Sequence, residues 1–399
     1  MKPVRLLLLI AAVLCDSDFA FGQTWIQKTN APSENWSSIA CSADGSKLVA
    51  GNVNMYFNGD DYVFYGSLFT STNSGASWTQ ATNAPPAGWI AVTSSADGNN
   101  LVALPAGGPL YASRDCGTTW APVNTPSSLL NCIASSADGT KLVAGEWNDF
   151  PPNPSLIYTS TNSGSTWATN NAPSEYWTSI ASSADGTRLV AVAATGPIYT
   201  SVDSGITWDV TSATEVNWYA VASSADGVKL IAAISGGQVY TSSDSGTDWT
   251  VVTNLPSAAW DYVASSADGT RLMAAQNYGG TIYTSSDSGL TWSQASVPSA
   301  NWRSVACSAD GNEMVAVSFQ GLIYSSKTMP RPRMNLAPSS TNLALSWLIP
   351  STHFLLQQST NLISWVNLTN TPALNLTNLQ NQAVLSPSNR CGFFRLSTP

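Results

Sequence analysis

"IYTSSDSGLTW", Ile282 to Trp292, decides the fold because the chain repeats it. Near copies run Ile157–Trp167, Ile198–Trp208 and Val239–Trp249. The shared Ser-x-Asp/Asn-x-Gly-x-x-Trp string ends at Trp78, Trp120, Trp167, Trp208, Trp249 and Trp292. Each copy follows a second recurring string, roughly W-x-x-I-A-S-S-A-D-G-x-x-L-V-A. Its Ala-Asp-Gly recurs seven times, with the acid at Asp44, Asp97, Asp138, Asp185, Asp226, Asp268 and Asp310. A fixed period of this length marks a repeat architecture.

Each unit holds four short runs of strand character separated by turn residues. In the fourth unit these are Trp177–Ser183, Arg188–Val192, Ile198–Ser201 and Thr207–Thr211. Four antiparallel strands per unit, seven times over, predict an all-β, seven-bladed β-propeller. The ends of the array predict closure into a ring. The last unit stops at Ile323–Ser326 without a fourth strand. The missing strand stands at the other end of the chain, where "TWIQKTNAPSENW" aligns with "SWTQATNAPPAGW". A ring closed by the N-terminal strand removes the open sheet edges that a linear array would expose.

The Ser-x-Asp/Asn-x-Gly-x-x-Trp string resembles the Asp-box (BNR-type) repeat of sialidases and many other propellers. The resemblance covers about 23–326 and implies a hairpin turn between third and fourth strands, away from the active face. Local chemistry agrees: Asp or Asn accepts backbone N–H bonds across a turn, Gly permits positive φ, and Trp buries a large ring. A sialidase itself is not implied. That family uses three Arg residues against the substrate carboxylate and a Tyr/Glu pair, and only Arg303 stands at an inner-strand position here. The chain is closer in style to photosystem II assembly-factor propellers, which are non-catalytic binders. It also resembles the xyloglucan-active reducing-end hydrolases, which set two propellers around a cleft.

Composition narrows the function. The net charge is −9 and the pI about 4.4, with no Lys/Arg patch, which argues against nucleic acid and anionic membrane. Lys2 and Arg5 precede the apolar run Leu6–Leu14, and Ala20-Phe21-Gly22 offers a cleavage site. Residues 1–22 therefore read as a signal peptide, and no later run is long enough to span a membrane. A secreted, periplasmic or cell-surface protein is expected, as a monomer. The single His, His353, lies outside the repeats. That removes His-based triads and multi-His metal sites, and no cofactor is expected.

Turns between first and second strands share one face with turns between third and fourth. The variable loops occupy the other, top face, where propellers bind ligands. Three features converge there. A Trp begins the innermost strand at Trp36, Trp89, Trp177, Trp218, Trp260 and Trp302, with Leu130 in the third blade; such rings either stack on sugars or pack between blades. The residue after it varies: Ser37, Ile90, Asn131, Thr178, Tyr219, Asp261 and Arg303. Tyr219, Asp261 and Arg303 fall on consecutive blades. Finally, two loops are enlarged, Asn52–Ser67 and Gly145–Ser155, flanking the second blade. They supply Tyr56, Asp60, Asp61 and Tyr62, and Glu146, Trp147 and Asp149, a mixture of aromatics and acids suited to a glycan or a protein.

Two-carboxylate glycoside hydrolysis needs no His and stays open. Acids available to it on the top face are Glu34, Asp60, Asp61, Glu146, Asp149, Glu175, Glu215 and Asp261. A close pair in an open cleft would mark a hydrolase. Acids scattered or individually paired would mark a binder of a glycan or an extracellular protein. A flat, closed top would mark a structural or assembly protein of the cell envelope.

After a linker, 327–335, the repeat vanishes. "LALSW", "FLLQQST", "WVNLTNT", "QAVLS" and "FFRLS" read as strands of a small β-sandwich over 336–399, similar to fibronectin-like modules of exported bacterial proteins. Cys41 and Cys307 share one repeat position on the blades that meet at closure, which makes them candidates for a disulfide clasp.

Overall fold

The computed structural model describes residues 24–59, 61–148, 155–214, 216–319 and 321–328, and the strands 335–339, 342–348, 355–359, 366–367, 373–375, 380–385 and 393–397. Every element among them is a β-strand. In the fourth repeat the strands are Trp177–Ser182, Leu189–Ala193, Ile198–Ser201 and Asp209–Val210, antiparallel and in sequence order. The fourth strand is shorter than its composition predicts. It pairs with its neighbour only at Tyr199↔Val210 and Thr200↔Asp209 and carries exposed residues on both faces. The other repeats build the same four-stranded order. In the last, the outer position is held by Trp25–Gln27, which pairs antiparallel with Ile323–Lys327.

The innermost strands contact one another in succession from Trp36–Cys41 to Trp302–Cys307, and these two touch each other in turn. A belt of backbone hydrogen bonds follows the same path. Each Ala of an Ala-Asp-Gly turn donates its N–H to the carbonyl of the next: Ala43 to Ala96, then Ala137, Ala184, Ala225, Ala267 and Ala309, whose N–H returns to Ala43, all at 2.7–2.8 Å. The small side chain is required because all seven Ala residues converge, and Ala43 and Ala309 pack directly together.

The Asp of each such turn is held by its own segment. In the sixth repeat Ser266 Oγ donates to Asp268 Oδ1 (2.6 Å), which also accepts from the Thr270 N–H (2.9 Å). Ser266 Oγ accepts in return from the Arg271 N–H at 3.0 Å. The IYTSSDSGLTW turn is built the same way. Ser285 Oγ donates to Asp287 Oδ1 and accepts from Gly289 N–H, while Asp287 Oδ1 accepts from Thr291 N–H, at 2.8–2.9 Å. The sequence pattern assigns positive φ to the Gly alone. The preceding residue adopts it too, with φ between 54° and 63° at Ser74, Cys116, Ser163, Ser204, Ser245 and Ser288. Each of these N–H groups donates to a carbonyl in the Ala-Asp-Gly turn of the same repeat, at 2.7–3.2 Å, which offsets the strain. Both turn types therefore sit at one end of the sheets.

The core lies between neighbouring repeats. Trp302 packs with Met273, Ala275 and Ile282 of the sixth repeat and with Met314 and Ala316 of the seventh. All six inner-strand Trp residues are fully buried. Each meets a ring on the third strand of its own repeat edge to face, as Trp260 does Tyr283 at 5.6 Å. They are packing residues, and the sugar-stacking alternative is excluded for them by burial.

The C-terminal strands form two sheets. Asn335–Ser339, Asn342–Leu348, Gln380–Leu385 and Ala373–Asn375 make the first in that spatial order; Val366–Asn367, Leu355–Ser359 and Phe393–Ser397 make the second. The strands Asn335–Ser339 and Ala373–Asn375 are not evident in the sequence. The first begins inside the expected linker.

Cys41 and Cys307 do lie together, but as free thiols. Cys41 Sγ donates to the Cys307 carbonyl at 3.0 Å, so that contact takes the place of the expected bridge. Burial pushes the Cys41 thiol well above its usual range and Cys307 up to about 12, so both stay protonated at neutral pH.

Candidate ligand-binding face

The end opposite the turns is where the repeats cease to match. Here the residue leaving the second strand donates its N–H to a carbonyl just before the inner Trp, or before Leu130 in the third repeat: Val53 to Asn35, Ala106 to Gly88, Trp147 to Leu129, Ala194 to Tyr176, Asn277 to Ala259 and Phe319 to Asn301, at 2.7–3.0 Å. The loops that follow differ in every repeat.

Ile90 apart, the residue after each inner Trp, or after Leu130 in the third repeat, falls into one of two groups. Ser37 donates to the Trp89 carbonyl, Asn131 Nδ2 to the Trp177 carbonyl (3.0 Å) and Thr178 Oγ1 to the Trp218 carbonyl (3.0 Å). These staple one repeat to the next. Tyr219, Asp261 and Arg303 hold the same position and are brought together, as their spacing on consecutive repeats predicts. Tyr219 meets Tyr262 edge to face at 6.2 Å. Arg303 acts on the Tyr262 hydroxyl and lies over the Phe319 ring, 5.5 Å from its centroid. Burial, then the Asp261 charge, raises the Tyr219 hydroxyl, against the pull of Arg303. All three groups therefore share one electrostatic environment.

Asp261 is the unusual member. It is 2% exposed, and its Oδ2 accepts from Asn277 Nδ2 at 3.0 Å. Its Oδ1 is buried without a hydrogen-bond partner, as is Nε of Arg303. Sequence reasoning does not anticipate Tyr262, Asn277 and Phe319. Tyr262 sits where the other repeats carry Ser or Ala, except Cys132, and that departure was the available signal.

The enlarged loop of the first repeat forms its own hairpin, Asn54–Phe57 with Tyr62–Tyr65, in register Tyr56↔Val63 and Phe57↔Tyr62. It stands clear of the sheets: Tyr56 is 53% exposed, Phe57 59% and Tyr62 63%. Tyr56 contacts Tyr65 at 5.9 Å and Phe57 contacts Tyr62 at 5.4 Å. Gly88 of the second repeat lets the hairpin seat, since a Cβ there would lie 2.8 Å from Phe64 Cβ. Asp61 is exposed, and its N–H is bonded to Asn58 Oδ1 at 2.9 Å.

In the enlarged loop of the third repeat, the described residues pack inward instead. Glu146 is buried, accepting from Leu156 N–H at 2.8 Å and from the Tyr158 hydroxyl at 3.3 Å. Trp147 packs on Tyr176 at 5.6 Å. Of the expected site between the two insertions, the described residues are exposed on the first-repeat side and packed inward on the third-repeat side. Asp60, Asp149 and Glu215 lie outside the described residues. Glu34 accepts from Asn52 Nδ2 at 2.7 Å, and Glu175 from the Tyr199 hydroxyl at 3.1 Å. Among the described residues no group of His, Cys, Asp and Glu side chains is arranged to hold a metal ion.

No family model and no curated protein sequence matches the chain. Solved structures do, and they are β-propellers. "YCF48 bound to D1 peptide" matches with a TM-score of 0.57 and 17% identity, over 79% of this chain and 98% of that one. YCF48 from Cyanidioschyzon merolae matches with a TM-score of 0.57 and 15% identity, over 76% and 98%. The GH74 xyloglucanase from Xanthomonas campestris gives a TM-score of 0.59 and 14% identity over 82% of this chain, which spans 60% of the enzyme's length. At such identities the likeness establishes the fold, an all-β propeller.

Proposed function

We propose that the chain is an exported, non-catalytic binding protein that recognises a glycan or a protein on the loop end of a seven-bladed Asp-box propeller. Residues 1–22 are its signal peptide. The pairing of Trp25–Gln27 with Ile323–Lys327 supports ring closure by the N-terminal strand. The two C-terminal sheets support a small β-sandwich over 336–399, which spaces or attaches the propeller. It works outside the cytoplasm as a monomer.

The observation that carries this reading is the fate of the loop-end acids. Glu34, Glu146 and Glu175 are each consumed by a donor of their own loop region, on three different repeats. Asp261 shares its surroundings with Tyr219, Tyr262 and Arg303, two phenols and a cation. A hydrolase needs two acids facing one bond. What projects instead is the aromatic hairpin, an apolar surface of the kind that marks interaction sites. A YCF48 structure holds a D1 peptide, which supports a protein as one class of partner.

The test is a polysaccharide and peptide array probed with the full chain, beside a Tyr56→Ala/Tyr62→Ala variant. Binding that the variant loses, with no release of reducing ends from the bound polysaccharide, is expected. Turnover of the ligand, or binding untouched by any loop-end substitution, overturns the reading.

A further inference from the structure

We propose that Tyr219, Asp261, Tyr262 and Arg303 form a subsite for one neutral sugar residue, held through a pair of adjacent hydroxyls. This rests on the loop-end reading above and specifies its ligand.

The argument starts from Asp261. A buried carboxylate is normally saturated, since an unmet acceptor keeps its full desolvation cost. The turn-end Asp residues, half-buried or exposed, have donors all the same, whereas the buried Asp261 Oδ1 has none. On the next repeat Arg303 Nε also has a donor to spare. The molecule thus keeps one unused acceptor and one unused donor at the position that other repeats use for stapling. A ligand that completes both must present a donor and an acceptor close together.

Charge selects among such ligands. Asp261 and Arg303 cancel, so the subsite is neutral before anything enters. An anionic or cationic ligand would leave an uncompensated charge in a largely desolvated place. A vicinal diol carries none, and each hydroxyl both donates and accepts. One hydroxyl gives its proton to Asp261 Oδ1, and the other accepts from Arg303 Nε. Tyr219, 38% exposed, and Tyr278, 77% exposed, supply aromatic surface at the rim for the C–H face of the ring. Oδ1 is covered in the structure, so the diol reaches it as side chains at the rim turn aside. Rotamer changes of this kind are common on binding.

The experiment is calorimetric titration of the full chain with neutral gluco-, galacto-, manno- and xylo-oligosaccharides, beside oligogalacturonate and chitosan oligomers. Binding of a neutral oligosaccharide, weakened at least tenfold in both Asp261→Asn and Tyr219→Ala, is expected. The charged oligomers should bind at least tenfold more weakly. Charged oligomers that bind as tightly as the neutral ones overturn the assignment. So does binding that survives Asp261→Asn but is lost in the hairpin variant, which leaves the loop-end reading standing. A peptide bound without any neutral sugar has the same consequence. Neutral-sugar binding indifferent to every loop-end variant overturns both.

Discussion

The two ends of this molecule use the same residue types to opposite purposes. At the turn end, Ser, Asp and Trp recur in every repeat, and each Asp meets its donors within five residues of itself. At the loop end, Asp261 is buried, where the turn-end Asp residues are half-buried or exposed, and it is left with an open valence. The difference teaches that repetition here serves the scaffold. Where the repeat is broken, at Tyr219, Asp261 and Arg303, a local staple has been given up for something else.

That contrast can be broken at several strengths. The largest expected effect belongs to the scaffold. Trp260→Ala should cost about 3–5 kcal/mol, because a fully buried ring is lost between two repeats. Urea unfolding measures it; near-normal stability with lost binding would mean that the inner Trp residues serve the ligand after all. Next comes Ser266→Ala. It removes a donor to Asp268 and an acceptor for Arg271, and should cost about 1–3 kcal/mol by the same measurement.

A pH profile sharpens the contrast further. The Thr119 hydroxyl and N–H hold Asp115 below the usual carboxylate range, Thr207 does the same for Asp203, and the Asp248 N–H for Asp244. At Asp44 burial pushes upward, but bonds from Ser42 and Ser46 outweigh it. The folded values lie below the unfolded one, near 3.9. Their stabilisation is therefore complete above that value and is lost as pH falls through the folded values. The urea midpoint should hold level from about pH 7 to about pH 5 and drop below about pH 4. Glu313, raised by burial, contributes in the opposite sense. A midpoint still level at about pH 3 would mean that the turn acids carry no folding energy.

Smaller effects belong to the loop end. Asp261→Asn keeps the side-chain shape but removes the charge that balances Arg303, and should cost about 1 kcal/mol or less, below the effect of Ser266→Ala. Tyr56→Ala should change it by about 0.5 kcal/mol or less, since that ring is half exposed on a two-stranded hairpin. A large loss at Tyr56 would recast the hairpin as part of the core.

Much of the scaffold was legible because it is local. Ser-x-Asp with Gly two residues on is a turn whose bonds close within the segment, and it reads the same wherever it occurs. The alignment of the chain start with "SWTQATNAPPAGW" likewise anticipated the pairing of Trp25–Gln27 with the last repeat. Less was legible in the site. Trp147 and Glu146 carry the composition of a binding loop, yet packing against Tyr176 and Tyr158 turns them inward. Tyr262 and Phe319 carry no motif. They join the site because neighbouring strands bring them there.

By itself, then, the sequence determined the strand period, the turn chemistry and the positions where the repeat departs from itself, since each depends on residues a few places apart. Only the tertiary structure decided that the Ala-Asp-Gly turns bond into a belt and that Cys41 meets Cys307 as a thiol donor. It also decided that, among the described residues, Asp261 is the acid that buries a carboxylate oxygen without a hydrogen-bond partner. Those outcomes depend on which groups meet across repeats more than forty residues apart, and on which donors burial leaves within reach.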